Sequence, residues 1–79
     1  MSSAQVYAVT GRDGKVIARH TSREPITHAC AVMRWDGRVA VQGWGDRAAA
    51  HASKDRALKQ VENKAAVVVG VVVERRPLR

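Results

Sequence analysis

From residue 5 to residue 44 short apolar runs of strand character are separated by polar and glycine-containing connections, and the chain then changes to helical spacing from 47 to about 63. Gln5-Val6-Tyr7-Ala8-Val9-Thr10 is β-branched and aromatic and reads as a first strand. Gly11-Arg12-Asp13-Gly14 is turn chemistry, because glycine tolerates positive φ and an Asp carboxylate can bond nearby backbone. Residues 15–19 alternate again and should pair back as a second strand. A polar connection follows over 20–25, where Pro25 ends any pairing. A third strand is expected over 27–35 and a fourth over 38–44. Asp36-Gly37 between them predicts a two-residue type I′ turn. That turn sets Trp35 opposite Arg38 and Val32 opposite Val41. On this register His28, Cys30, Val32, Val39 and Val41 share a dense core face. Ala29, Ala31, Met33, Trp35, Ala40, Gln42 and Trp44 share a lighter one.

Asp46 is placed to cap a helix over 47–63, with an apolar stripe of Ala50, Ala57, Leu58 and Val61 and an end at Asn63 in the left-handed conformation. Val67-Val68-Val69-Gly70-Val71-Val72-Val73 then reads as a strand buried on both faces or lying at a subunit contact, since an open valine edge invites aggregation. Residues 74–79 form a flexible basic tail. The expectation is a single α+β domain over 1–79, an antiparallel sheet of about five strands in the order β-β-β-β-α-β, with one helix packed on a face.

Composition makes this core thin. A chain of 79 residues buries only roughly 60% of its unfolded surface. There is no Phe, and Leu58 is the one Leu before the tail. Cores of this kind gain stability from a partner or a second copy. The net charge is +7, and ten of the fourteen cationic residues are Arg, whose planar fork suits phosphate and carboxylate. The balance points to an acidic macromolecule. One cysteine, Cys30, excludes an internal disulfide. The N-terminus lacks the pattern of a secretory signal, and the apolar run over 65–73 is too short to span a bilayer. The expected location is the host-cell cytoplasm, with no membrane partner.

Catalytic chemistry is hard to assemble. His28 and Cys30 share a strand face, but a structural zinc site wants four ligands and close sequence pairs. No third group orients a Cys–His nucleophile, and the carboxylates are scattered. Gly11 to Gly14 links two strands and opens no helix, so it is no phosphate loop. No enzyme, metal or cofactor is expected. The candidate partner-binding residues are basic, with one ring: Arg12 and Lys15 at the first turn, and Arg34, Trp35 and Arg38 at the second. Arg47 and Lys54 follow on the helix, and Arg75 and Arg76 in the tail. Arginine beside an exposed aromatic ring provides stacking and phosphate neutralisation, as single-strand binders do.

The stretch Ser22-Arg23-Glu24-Pro25-Ile26-Thr27-His28-Ala29-Cys30-Ala31-Val32, followed by Val41-Gln42-Gly43-Trp44-Gly45-Asp46-Arg47-Ala48, resembles a pattern in small phage and mobile-element proteins. There, a Thr-His-Ala-Val-type strand precedes a Trp-Ser-Gly-Arg-type turn and an alanine-rich helix. The resemblance covers about a third of the chain; Ile26 stands where an aromatic is common and Gly45-Asp46 where a serine is common. Such proteins include anti-CRISPR proteins, so the resemblance implies a non-enzymatic inhibitor that binds a CRISPR effector complex and blocks target DNA. A basic chain cannot mimic DNA, so it would dock on an acidic effector surface or in the nucleic-acid channel. The alternatives are a direct DNA- or RNA-binding regulator, and a self-associating structural protein that dimerises through the strand at 67–73.

Overall fold

The computed structural model describes residues 4–74. Its elements are β1 (Gln5–Thr10), β2 (Val16–Ser22), β3 (His28–Arg34), β4 (Val39–Gly45), α1 (Arg47–Leu58), β5 (Asn63–Gly70) and β6 (Val72–Val73). The class is α+β. The six strands form two antiparallel sheets of three, β2-β1-β6 and β4-β3-β5, where the sequence predicts one sheet of five.

The extra strand and sheet come from the valine run, which changes partner at Gly70 and Val71. Upstream, Val69 pairs with Ala29 and Val67 with Ala31; downstream, Val72 pairs with Ala8 and Val73 with Tyr7. The Val71 N–H donates to the Thr27 carbonyl at 3.0 Å and the Glu74 N–H to the Val6 carbonyl at 2.8 Å. N–H groups three residues apart point to opposite sides of an extended chain, so one run can serve both sheets. Glu74, assigned to the tail from sequence, is held by that bond and by an ion pair to Arg19 at 2.6 Å. Arg75 and Arg76 lie outside the described residues.

The β3–β4 hairpin is one residue out of the expected register. The Arg34 N–H donates to the Arg38 carbonyl, and the Gly37 N–H to the Arg34 carbonyl, so Trp35, Asp36 and Gly37 form a three-residue loop. Gly37 alone of these takes positive φ, at 89°, whereas a type I′ turn needs it at both central residues. Ala31 therefore faces Val41, and Met33 faces Val39. A one-residue slip moves every side chain to the other face. Val39 and Val41 leave the predicted core face, while Ala40 and Gln42 join Cys30 and Val32.

Asp46 caps α1, its carboxylate accepting from the Ala49 N–H at 2.8 Å. The helix stops at Leu58, five residues short of expectation. The Asn63 side-chain amide donates to the Ala57 carbonyl at 2.9 Å, which satisfies the helix end from the first residue of β5. No described non-glycine residue has positive φ, so Asn63 does not end the helix in the left-handed conformation. Ala50, Ser53 and Ala57 face the sheet, while Leu58 and Val61 of the expected stripe are exposed. Gln42 donates to the Ser53 hydroxyl at 3.0 Å. Cys30, Val32 and Ala57 form the core beneath the helix, with Ala66 packed against them.

With Cys30 and Val32 facing the helix, alternation puts Ala31 and Met33 on the opposite face of this sheet. Their cross-strand partners, Val41, Val67, Val39 and Ala65, share it. Met33, Val39 and Val67 are 43%, 49% and 54% exposed. Val72 and Val73 are exposed as well. Within one copy the valine run is not buried on both faces.

Candidate macromolecule-binding end

Three elements meet at one end of the β4-β3-β5 sheet. The β3–β4 loop carries Trp35 and is flanked by Arg34 and Arg38. Arg34 pairs with Asn63, where β5 begins, and the Trp35 N–H donates to the Glu62 carbonyl at 3.2 Å. The last turn of α1 is tied to the same place by the Asn63 amide. Trp35 is 68% exposed, whereas Tyr7 is buried and Trp44 half-buried. The Lys64 ammonium stands 5.7 Å from its ring centroid, a cation–π contact that holds the ring at the surface.

The end is positive. Arg34, Arg38, Arg56, Lys59 and Lys64 provide five cations against the carboxylates of Asp36, Asp55 and Glu62. Arg38 pairs loosely with Asp36 at 3.6 Å, and both side chains are more than half exposed. Such a pair is easily exchanged for a stronger anion. The ion pairs seen among the described residues are this one and Arg19–Glu74, so most guanidinium and ammonium groups remain open to solvent.

The folding gathers Arg34, Trp35 and Arg38 from the set expected in sequence, and adds Arg56, Lys59 and Lys64, which sequence reasoning missed. Their local pattern is that of a solvated helix end; only the Asn63–Arg34 pairing reveals the juxtaposition. Arg12 and Lys15 lie on the separate β1–β2 turn. Arg47 begins α1 at the far end of the helix, and Lys54 is half-buried on its flank. These four do not join the cluster. No protein-family model, curated protein or solved structure matches this chain.

The other candidate chemistry resolves into packing. Cys30 is fully buried, and burial pushes its thiol above the usual range, opposed by a hydrogen bond to the Val67 backbone and the charge of Lys54. A buried, protonated thiol is a poor nucleophile. His28 shares a hydrogen bond with the Thr27 hydroxyl at 2.9 Å. Trp44 is half-buried and stacks on His20, with ring centroids 5.2 Å apart and planes within 16°. The stack links β2 to β4, and Trp44 is less exposed than Trp35. Among the described residues no three His, Cys, Asp or Glu side chains converge as a metal site.

Proposed function

We propose that this chain is a non-enzymatic binding protein whose Trp35 end engages single-stranded nucleic acid, either free or held in a nucleoprotein. The observation that carries the reading is an exposed indole set among Arg34, Arg38 and Lys64. A base stacks on the ring while the flanking cations meet phosphates on either side. Every base has a π-face, so this arrangement binds with little sequence preference. Inhibition of a CRISPR effector complex is the sharper form, resting on the resemblance of residues 22–32 and 41–48; there the bound strand would be guide RNA or displaced target DNA.

Fluorescence titration with short labelled single-stranded DNA and RNA tests the general reading. Binding should quench Trp35 emission and weaken steeply as salt rises. No quenching at low salt, with probes of either kind, would refute it. Co-purification with a panel of effector complexes tests the sharper form, and failure to associate with any of them removes it.

A further inference from the structure

We infer that the Trp35 end holds a second seat beside the indole, an aliphatic step formed by Leu58 and Val61, which takes the next nucleotide of the same strand. This deepens the nucleic-acid reading and rests on it. The Lys64 ammonium stands over one face of the Trp35 ring, 5.7 Å from its centroid, so the ring offers its other face and holds one base. The neighbouring base must find apolar surface elsewhere. Val61, in the α1–β5 turn, is 88% exposed, and Leu58, the last residue of α1, is 51% exposed. Backbone bonds fix this step against the loop. The Trp35 N–H donates to the Glu62 carbonyl at 3.2 Å, which keeps the Cα atoms of Trp35 and Val61 within about 11 Å of each other. The Gln60 N–H donates to the Ala57 carbonyl and the Asn63 N–H to the Gln60 carbonyl, both at 3.1 Å, so the turn that carries Val61 is held by its own backbone.

Two arguments select a nucleotide for this seat. The first is charge. Cations lie on both sides of the step: Arg34, Arg38 and Lys64 toward the sheet, Arg56 and Lys59 toward the helix, with Glu62 as the single carboxylate of the turn. A polymer that carries an anion at every unit and a flat, poorly hydrated base between anions matches this alternation of cation and apolar surface. The second is continuity. The step adjoins the ring through a direct backbone bond, so adjacent units of one strand reach both. A duplex keeps its base faces stacked inside, so only an unpaired strand can use the two seats together.

Two probes separate the seats: thymidine 3′,5′-bisphosphate, with a single base between its phosphates, and the thymidine tetranucleotide. Both are titrated at constant low salt against the wild type and against Leu58→Gln combined with Val61→Ser, which leaves the net charge unchanged. The double variant should bind the tetranucleotide roughly fivefold more weakly, the equivalent of about 40 Å² of apolar surface taken from water. Its affinity for the bisphosphate should equal that of the wild type, whereas Trp35→Ala should weaken both probes. The urea midpoint checks that the fold is kept; should the double variant unfold, Val61→Ser alone carries the same expectation, because that side chain is 88% exposed. If both probes quench Trp35 and the variant loses nothing, or loses equally on the two, the second seat is overturned while the nucleic-acid reading stands. If neither probe quenches Trp35, that reading fails and this seat with it. Phosphatidylglycerol vesicles form the last arm: Val61-dependent binding to them, without Val61-dependent binding of the tetranucleotide, would assign the step to a lipid surface and overturn the proposal.

Discussion

A Cβ placed on Gly43 would stand 2.4 Å from the Cβ of Ser53 and 2.8 Å from its hydroxyl oxygen. Gly43 also takes φ of +66° at the β-bulge that offsets His28 and Cys30 against β4. Only the Ser53 side chain stands between the helix and the sheet backbone here. Gly43→Ala must therefore separate α1 from β4 and strain the backbone together, at an expected loss of about 3 kcal/mol or more. Ser53→Ala removes only the bond from Gln42, about 1 kcal/mol. Urea unfolding compares the two; equal losses would show that the contact is looser than the geometry indicates.

Trp35 should matter to binding and not to folding. Replacing it with alanine removes one stacking platform, worth about 1–3 kcal/mol. Affinity for single-stranded probes is expected to fall by roughly 5- to 150-fold at constant salt. The urea midpoint should barely move, because the ring is largely exposed.

Arg34 and Arg38 act through charge. With both changed to Gln, affinity should fall at low salt, and the plot of log affinity against log salt should flatten by about 0.7 for each phosphate no longer neutralised. An unchanged slope would mean that the phosphates are met elsewhere, with Arg12, Lys15, Arg47 and Lys54 as the next set to test.

Cys30 links stability to pH. Its thiol titrates higher in the folded chain than the usual 9.0, because burial disfavours the thiolate. Below the unfolded value both states are protonated and the contribution to stability is whole. As pH rises above it, the unfolded chain ionises first, and stability falls until the folded pKa is reached. Stability measured from about pH 8 to 11 should decline more steeply for the wild type than for Cys30→Ala.

Asp46 holds the start of α1 by one hydrogen bond to the Ala49 N–H. Asp46→Ala should cost about 1 kcal/mol, while Asp46→Ser should retain most of the stability. Thermal melts of the two variants make the comparison.

Much of the local structure was legible in the residues. The strand at Gln5–Thr10, the Asp46 cap and the positions of the two hairpins follow from side-chain type alone. The first failure came at Asp36-Gly37, a pair that suits either a two-residue loop or a three-residue loop ending in a left-handed glycine. The structure takes the second, with the Asp36 carboxylate accepting from the Arg38 N–H at 2.9 Å. That one residue decided which face Val39 and Val41 occupy, and so hid the bare side of the sheet. The helix end was misplaced because Lys59 to Glu62 are compatible with a helix, while the competing bond comes from Asn63 after the turn. The binding end was half legible. Arg34, Trp35 and Arg38 are neighbours in sequence, but Lys64 reaches the indole only through the pairing of β5 with β3.

The hand-over at Gly70 and Val71 also makes the two sheets unequal in what they need. Without residues 72 and 73, β1 and β2 are a lone two-stranded ribbon, which is marginal in water. Every strand pairing of the β4-β3-β5 sheet lies between 28 and 70. Loss of the last described strand would therefore leave the amino-terminal ribbon unfinished while removing no pairing from the sheet beneath the helix.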